Sequence, residues 1–159
     1  MISILQFSEK IIKVNQTLPE FAAKNIVFTN GCFDILHPGH LQYLLKARLC
    51  GDFLAVGLNS DESIRRLKGS GRPVNNFEFR SKMLSFLSFV DYVIEFENDT
   101  PYDLIVTIKP SILVKGADYE GKNIVGSDFV NSYGGKTILI DFLEGYSTTQ
   151  IINKIQSKN

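Results

Sequence analysis

Apolar runs without helical period alternate along this chain with longer amphipathic stretches. Ile26–Thr29 is β-branched and aromatic and predicts a first strand. Phe53–Leu58 is continuously apolar, as expected of a parallel strand buried on both faces. Asp91–Phe96, Ile112–Val114 and Thr137–Asp141 predict three more strands. Helical spacing separates them. Gly39–Cys50 is the first such helix, with Gly51 just past its C-terminal end. A short helix capped by Ser60 and Asp61 runs to about Leu67. Phe77–Phe89 is predicted helical with Met83, Leu84 and Leu87 inward, followed by Pro101–Ile108, Val125–Tyr133 ended by Gly134-Gly135, and Ser147–Ile155. Before the first strand, Ile4, Phe7, Ile11 and Ile12 fall at amphipathic helical spacing, so Ile4–Val14 predicts a leader helix on the outside of the core. The expected organisation is a leader over residues 1–24 and one domain over residues 25–159.

This alternation predicts an α/β single domain: a Rossmann-like, doubly wound parallel sheet of five strands with helices on both faces. Ligands of such sheets bind at the C-terminal ends of the strands, at the topological switch point. The chain has no G-x-G-x-x-G and no G-x-x-x-x-G-K-[ST], so the usual marks of a dinucleotide or P-loop site are missing.

Composition narrows the class. Hydrophobic content of 44% and charge of 21% describe neither a disordered nor a membrane protein. The formal net charge of zero argues against an extended nucleic-acid surface. No apolar run approaches a membrane span. Two cysteines, Cys32 and Cys50, with no secretory leader suggest a reduced, cytoplasmic setting. No C-x-x-C or H-E-x-x-H supports a zinc site.

The chemistry concentrates after the first strand, in Gly31-Cys32-Phe33-Asp34-Ile35-Leu36-His37-Pro38-Gly39-His40, which holds the chain's only two histidines. Pro38 suits the first helical position, which makes His37 the N-cap and puts His40 in the first turn. Unpaired backbone N–H groups and the positive end of the helix dipole converge there, a ready anion site. Gly39, without a Cβ, lets a nucleotide lie close. Further polar motifs also follow strands: Asn59-Ser60-Asp61, Lys115-Gly116-Ala117-Asp118 and Ser147-Thr148-Thr149. The last begins a helix and makes a second anion site, although Ser and Thr are also ordinary caps. Arg65, Arg66, Lys68 and Arg72 surround Gly69 and Gly71, a basic loop that reads either as solvated or as a clamp over phosphates. Gly116 allows a base or ribose to approach, and Asp118 can accept from ribose hydroxyls; a plain tight turn would have the same composition. Asn59, Ser60 and Asp61 are candidate acceptor contacts. Asp34 either holds the His37 turn through backbone N–H groups or helps to place Mg²⁺.

His37-Pro38-Gly39-His40 resembles the H-x-G-H signature of the cytidylyltransferase-like nucleotidyltransferases. The resemblance is nearest to the adenylyltransferase domain of bacterial ADP-heptose synthases. It runs from about Lys24 to Ile155, through Val56–Asp61, Arg72–Asn75, Asp99-Thr100-Pro101, Leu113–Tyr119 and Ser147–Ile152. The resemblance implies that His37 and His40 donate to the transferring phosphoryl group, with Lys68 as the loop lysine. It also implies Ser147, Thr148 and Thr149 on the β- and γ-phosphates, and Arg80 as the family's arginine on the following helix. Gly31, Cys32, Phe33, Gly39, Lys115, Gly116 and Asp118 are expected to bind nucleotide. Asn59, Asp61, Arg72 and Arg80 are expected around the sugar phosphate. Mg²⁺ is expected to arrive with substrate phosphates rather than in a dedicated cage. Related cytidylyltransferases place an arginine shortly before the last motif in an R-T-E-G-type run. Phe142-Leu143-Glu144-Gly145 stands here instead and points away from that branch.

The activity implied is transfer of AMP from ATP to a sugar 1-phosphate, namely heptose 1-phosphate, giving ADP-heptose and pyrophosphate. The rival readings are a cytidylyltransferase or other member of the superfamily acting on glycerol 3-phosphate or another acceptor, and a non-catalytic nucleotide-binding regulator. The partners expected are small molecules, with no nucleic acid and no membrane. A homodimer is implied, for which Phe86 or Phe89 supplies either an apolar patch or core. Bifunctional relatives carry a sugar kinase domain before this one. If the chain that starts at Met1 is a full-length protein, the kinase is expected on a separate chain.

Overall fold

The computed structural model describes residues 7–13, 16–17 and 25–157. Its strands are β1 (Ile11–Ile12), β2 (Ile26–Gly31), β3 (Phe53–Asn59), β4 (Tyr92–Phe96), β5 (Ile112–Gly116) and β6 (Lys136–Ile140). All pairs are parallel, in the order β1-β4-β3-β2-β5-β6. The helices are α1 (Pro38–Arg48), α2 (Asp61–Lys68), α3 (Phe77–Ser85), α4 (Tyr102–Ile108), α5 (Ser127–Ser132) and α6 (Thr148–Gln156).

Successive strand residues point to opposite faces, so nearly continuous apolar runs feed two cores at once. Val27, Leu54, Val93 and Val114 join Leu44 of α1 and Leu84 of α3 on one face. Phe28, Ala55, Ile94 and Leu113 join Ile105 of α4 and Val130 of α5 on the other. The sheet reverses its winding between β2 and β5. These two pair in register at Val27–Ile112 and Phe28–Leu113, then part before their C-terminal ends. A crevice therefore opens at the switch point, where α/β sheets bind ligands.

The expected parallel sheet is present with a sixth strand. The leader was expected to be helical through Ile11 and Ile12, but these residues pair with Val93 and Ile94 at the sheet edge. Adjacent β-branched residues in a strand serve both cores: Ile11 packs on the first and Ile12 belongs to the second. Ile4 and Val14 of that expectation lie outside the described residues. Helix α3 ends at Ser85 rather than Phe89, with Phe86 as its C-cap. Met83, expected inward, is 41% exposed, whereas Leu84 is fully buried and Leu87 packs on the core. Phe89 packs on the core, and the half-exposed Phe86 meets the edge of the Phe7 ring. Strands β2 and β5 each run two residues past their expected ends, to Gly31 and Gly116, and so carry the chain further into the crevice.

Candidate active site

The β2–α1 turn is built around one carboxylate. The Asp34 side chain is fully buried. It accepts from Arg72 Nε at 2.7 Å and from the backbone N–H groups of Val74 and Asn75 at 2.8 Å each. Asn75 Nδ2 returns a bond to the Asp34 carbonyl. Burial alone would raise the carboxyl's pKa, but the N–H donors of Asn75 and Val74 and the Arg72 guanidinium hold it below its ordinary value. Asp34 thus pins the loop after α2 to the turn before α1. Phe33, next to it, sits at φ 43°, a left-handed conformation unusual for a bulky residue and stabilised here by the fixed turn.

His37 caps α1. Its Nδ1 accepts from the His40 N–H at 3.3 Å, and Pro38 follows at the start of the helix. The two imidazoles stack with centroids 3.7 Å apart and 20° between planes. The Phe33 ring meets His40 edge-on at 5.2 Å. Burial, then the neighbouring His37 and Lys68 charges, push the His40 pKa down to about 4, against a smaller opposing pull from the Ile35 carbonyl. His40 is therefore a neutral imidazole at pH 7. Its buried Nδ1 has no hydrogen-bond partner among the described residues. A buried polar atom left so costs about 1–3 kcal/mol. Burial also lowers the His37 pKa.

The start of α6 lies beside the start of α1. Tyr146 stacks toward His37 with ring centroids 6.5 Å apart. A Cβ added to Gly39 would crowd the His37 ring at 3.1 Å and touch Tyr146 Cβ at 3.4 Å, an ordinary contact, so the glycine mainly leaves room for the His37 ring. Ser147 caps α6, its Oγ accepting from the Gln150 N–H at 3.1 Å. Thr148 and Thr149 form the first turn. The first-turn N–H groups of Thr148 and Thr149 thus border the histidine pair, whereas at α1 Pro38 has no N–H and the His40 N–H is taken by His37.

On the other side of His40 the crevice widens into a cavity of about 510 Å³. Gly31, Cys32, Phe33, His40, Asn59, Lys68, Lys115, Gly116 and Asp118 line it, all of them site residues expected from sequence. Asn30, Tyr43, Leu67, Asp99, Thr100, Pro101, Tyr119, Val125 and Phe142 line it too and were not. Of these, Asp99-Thr100-Pro101 was visible as a motif, without an assigned role. Asn30 directly precedes the Gly31–His40 motif and likewise had no assigned role. At Gly116 a Cβ would collide with the Phe142 ring, so the missing side chain makes room for an aromatic wall. Asn59 is fixed by donating to Ser63 Oγ at 3.0 Å.

His37, Ser147, Thr148 and Thr149 are not in the cavity wall; Tyr146, just before Ser147, stacks toward His37. Arg80 is 1% exposed. It donates to Asn75 O at 2.9 Å, to Cys32 O at 2.8 Å and to Asp61 Oδ1 at 2.7 Å. Arg80, Asp61 and Arg72 thus brace the turns that surround the site. Arg65 and Arg66 face solvent, Arg66 paired with Asp99 at 2.9 Å. No three His, Cys, Asp or Glu side chains converge as a metal cluster among the described residues. Because both Asp34 oxygens are committed to N–H donors, its carboxylate does not suit a divalent cation.

The cytidylyltransferase-like family model matches residues 28–154. The bifunctional protein HldE of Campylobacter fetus subsp. fetus is 56% identical over 151 residues, covering 94% of this chain and 32% of that protein. Its namesake in Wolinella succinogenes is 60% identical over 133 residues, covering 84% and 27%. The chain therefore spans about a third of the length of these curated relatives. A lipopolysaccharide core biosynthesis protein from Thermoplasma volcanium superposes with a TM-score of 0.61 at 26% identity, over 79% of this chain and all of that one. Pantoate-beta-alanine ligase from Francisella tularensis shares the fold, with a TM-score of 0.55 at 18% identity over 95% of this chain and 74% of its own.

Proposed function

The chain belongs to the cytidylyltransferase-like family, and on that premise we propose that it transfers the AMP group of ATP to heptose 1-phosphate, releasing pyrophosphate and forming ADP-heptose. The observation that carries this reading is the stacked His37–His40 pair between the start of α6 and a deep cavity. An oxygen of the acceptor phosphate attacks the α-phosphorus of ATP. A new P–O bond forms as the bond to the β-phosphate oxygen breaks, and pyrophosphate departs with that electron pair. No covalent enzyme intermediate is needed, so the protein's work is alignment and charge stabilisation.

In this reading His37 and His40 donate N–H groups to the oxygens on which charge builds. A neutral His40 suits this role, since it neither binds the ground-state phosphate as a cation nor needs to release a proton. Ser147, Thr148 and Thr149 hold the leaving pyrophosphate on the free N–H groups of α6. Lys68 closes on the triphosphate from the end of α2. Gly31, Cys32, Phe33, Gly39, Gly116 and Asp118 surround the nucleotide, and Asn59 the acceptor. Mg²⁺ is bound through substrate phosphates and neutralises part of their charge. The similarity to the HldE proteins favours ATP and heptose 1-phosphate over CTP and glycerol 3-phosphate. The proposal extends to a cytoplasmic homodimer.

The test is pyrophosphate release with Mg²⁺, crossing ATP, CTP, GTP and UTP with heptose 1-phosphate and glycerol 3-phosphate. Release confined to ATP with heptose 1-phosphate is expected. CTP turned over with glycerol 3-phosphate would move the chain to another branch, and no release with any pair would favour a nucleotide-binding regulator.

A further inference from the structure

Lys115 is buried with 6% exposure, at the point where β2 and β5 separate. Lysine is rarely buried unless paired. Among the described residues its ammonium has no carboxylate within ion-pair distance. Its hydrogen bond goes to Asn30 Oδ1, a neutral acceptor across the crevice on β2. The Tyr119 ring lies 5.5 Å from Nζ. Burial lowers the Lys115 pKa to about 8, and the exposed Asp118 only partly opposes this. An ammonium carries three donors, and the Asn30 bond uses one. The remainder sit in a cavity wall, on a charge whose opposing carboxylate, Asp118, lies beyond ion-pair distance.

We propose that the Lys115–Asn30 pair is the receptor for the acceptor's phosphate monoester, rather than a contact to the nucleotide. This rests on the nucleotidyl-transfer reading above. The order of groups along the rim supports it. Ser147, Tyr146 and His37 lie on one side of His40, and the cavity holding Lys115 lies on the other. In-line displacement puts the attacking and leaving oxygens on opposite sides of the phosphorus. With pyrophosphate held at the start of α6 and the α-phosphorus beside His40, the attacking phosphate enters from the cavity side. A neutral base and a ribose have no need of a buried ammonium, whereas a phosphate monoester supplies a counter-charge at contact distance. Asn30 fixes the Lys115 side chain before the substrate arrives, so little ordering remains for binding.

The test is calorimetric binding of heptose 1-phosphate and, separately, of ATP with Mg²⁺ to the wild type, Lys115→Met and Lys115→Arg. Methionine keeps the length and apolar stem without the charge, and circular dichroism melts confirm folding. Lys115→Met should bind the sugar phosphate roughly ten- to hundredfold more weakly while its ATP affinity stays within about twofold, and Lys115→Arg should recover part of the loss. Unchanged sugar-phosphate affinity in folded Lys115→Met would overturn the inference alone. So would an equal loss of ATP affinity. A wild type that binds ATP but no sugar 1-phosphate would overturn the inference together with the reading on which it rests.

Discussion

The rings of His37 and His40 stack face to face, 3.7 Å between centroids. Two imidazolium ions at that separation would repel each other, and the His37 charge is one reason the His40 pKa falls. In the proposed transfer the two rings serve as hydrogen-bond donors, with His40 neutral. Their rigidity comes from the cap bond at 3.3 Å between the His40 N–H and His37 Nδ1, and from Phe33 against the His40 ring.

Replacing His40 by alanine should lower kcat by roughly a hundred- to a thousandfold, as loss of a transition-state donor does. The melting temperature should change little, because the replaced ring carries an unpaired buried nitrogen. Steady-state kinetics and a thermal melt on the same preparation check this. Parallel loss of activity and stability would make His40 a structural residue.

Lys68 ends α2, is exposed, and reaches the cavity wall. Lys68→Ala should raise the KM for ATP by about tenfold, the scale of one charge-assisted contact, with an unchanged melt. Kinetics indistinguishable from wild type would leave the basic loop merely solvated.

Acid should destabilise the protein through His40. Its folded pKa of about 4 lies below the ordinary 6.5, so between these values the unfolded chain binds the extra proton. Stability is then fully present above about pH 6.5 and is lost as pH falls toward 4, by on the order of 3 kcal/mol from this group. Asp34, held below its ordinary value, adds a loss at lower pH still. Urea unfolding at pH 4.5 and pH 7 checks the effect (conditions spaced across roughly that window), and His40→Gln should flatten the difference.

Asp34→Asn should destabilise the fold by about 3 kcal/mol, since it leaves a partly buried Arg72 and two backbone N–H groups facing a neutral amide. Urea unfolding measures it. A change below about 0.5 kcal/mol would mean the turn is held by other contacts.

Periodicity made the alternating architecture legible, because parallel strands buried on both faces read as unbroken apolar runs. The histidine turn was legible for a local reason: His37, Pro38 and Gly39 each suit one position of a helix start. What stayed hidden depends on partners distant in sequence. Ile11 and Ile12 fit a helical stripe as well as an edge strand, and only Val93 and Ile94 decide between them. Met83 lies on the helical stripe of Leu84 and Leu87, yet α3 turns it to solvent. Asn30 meets Lys115 only because β2 and β5, 85 residues apart at this pair, are neighbours at the switch point. Arg80 reads as a sugar-phosphate contact from its motif, and its bracing of three acceptors from separate turns shows only in the fold.

Label transfer from ATP tests the central claim most directly. With the α-phosphate of ATP labelled and heptose 1-phosphate and Mg²⁺ present, the label should appear in ADP-heptose, with unlabelled pyrophosphate released in equal amount. Label remaining in ATP, or appearing only as free AMP, would contradict the proposed transfer.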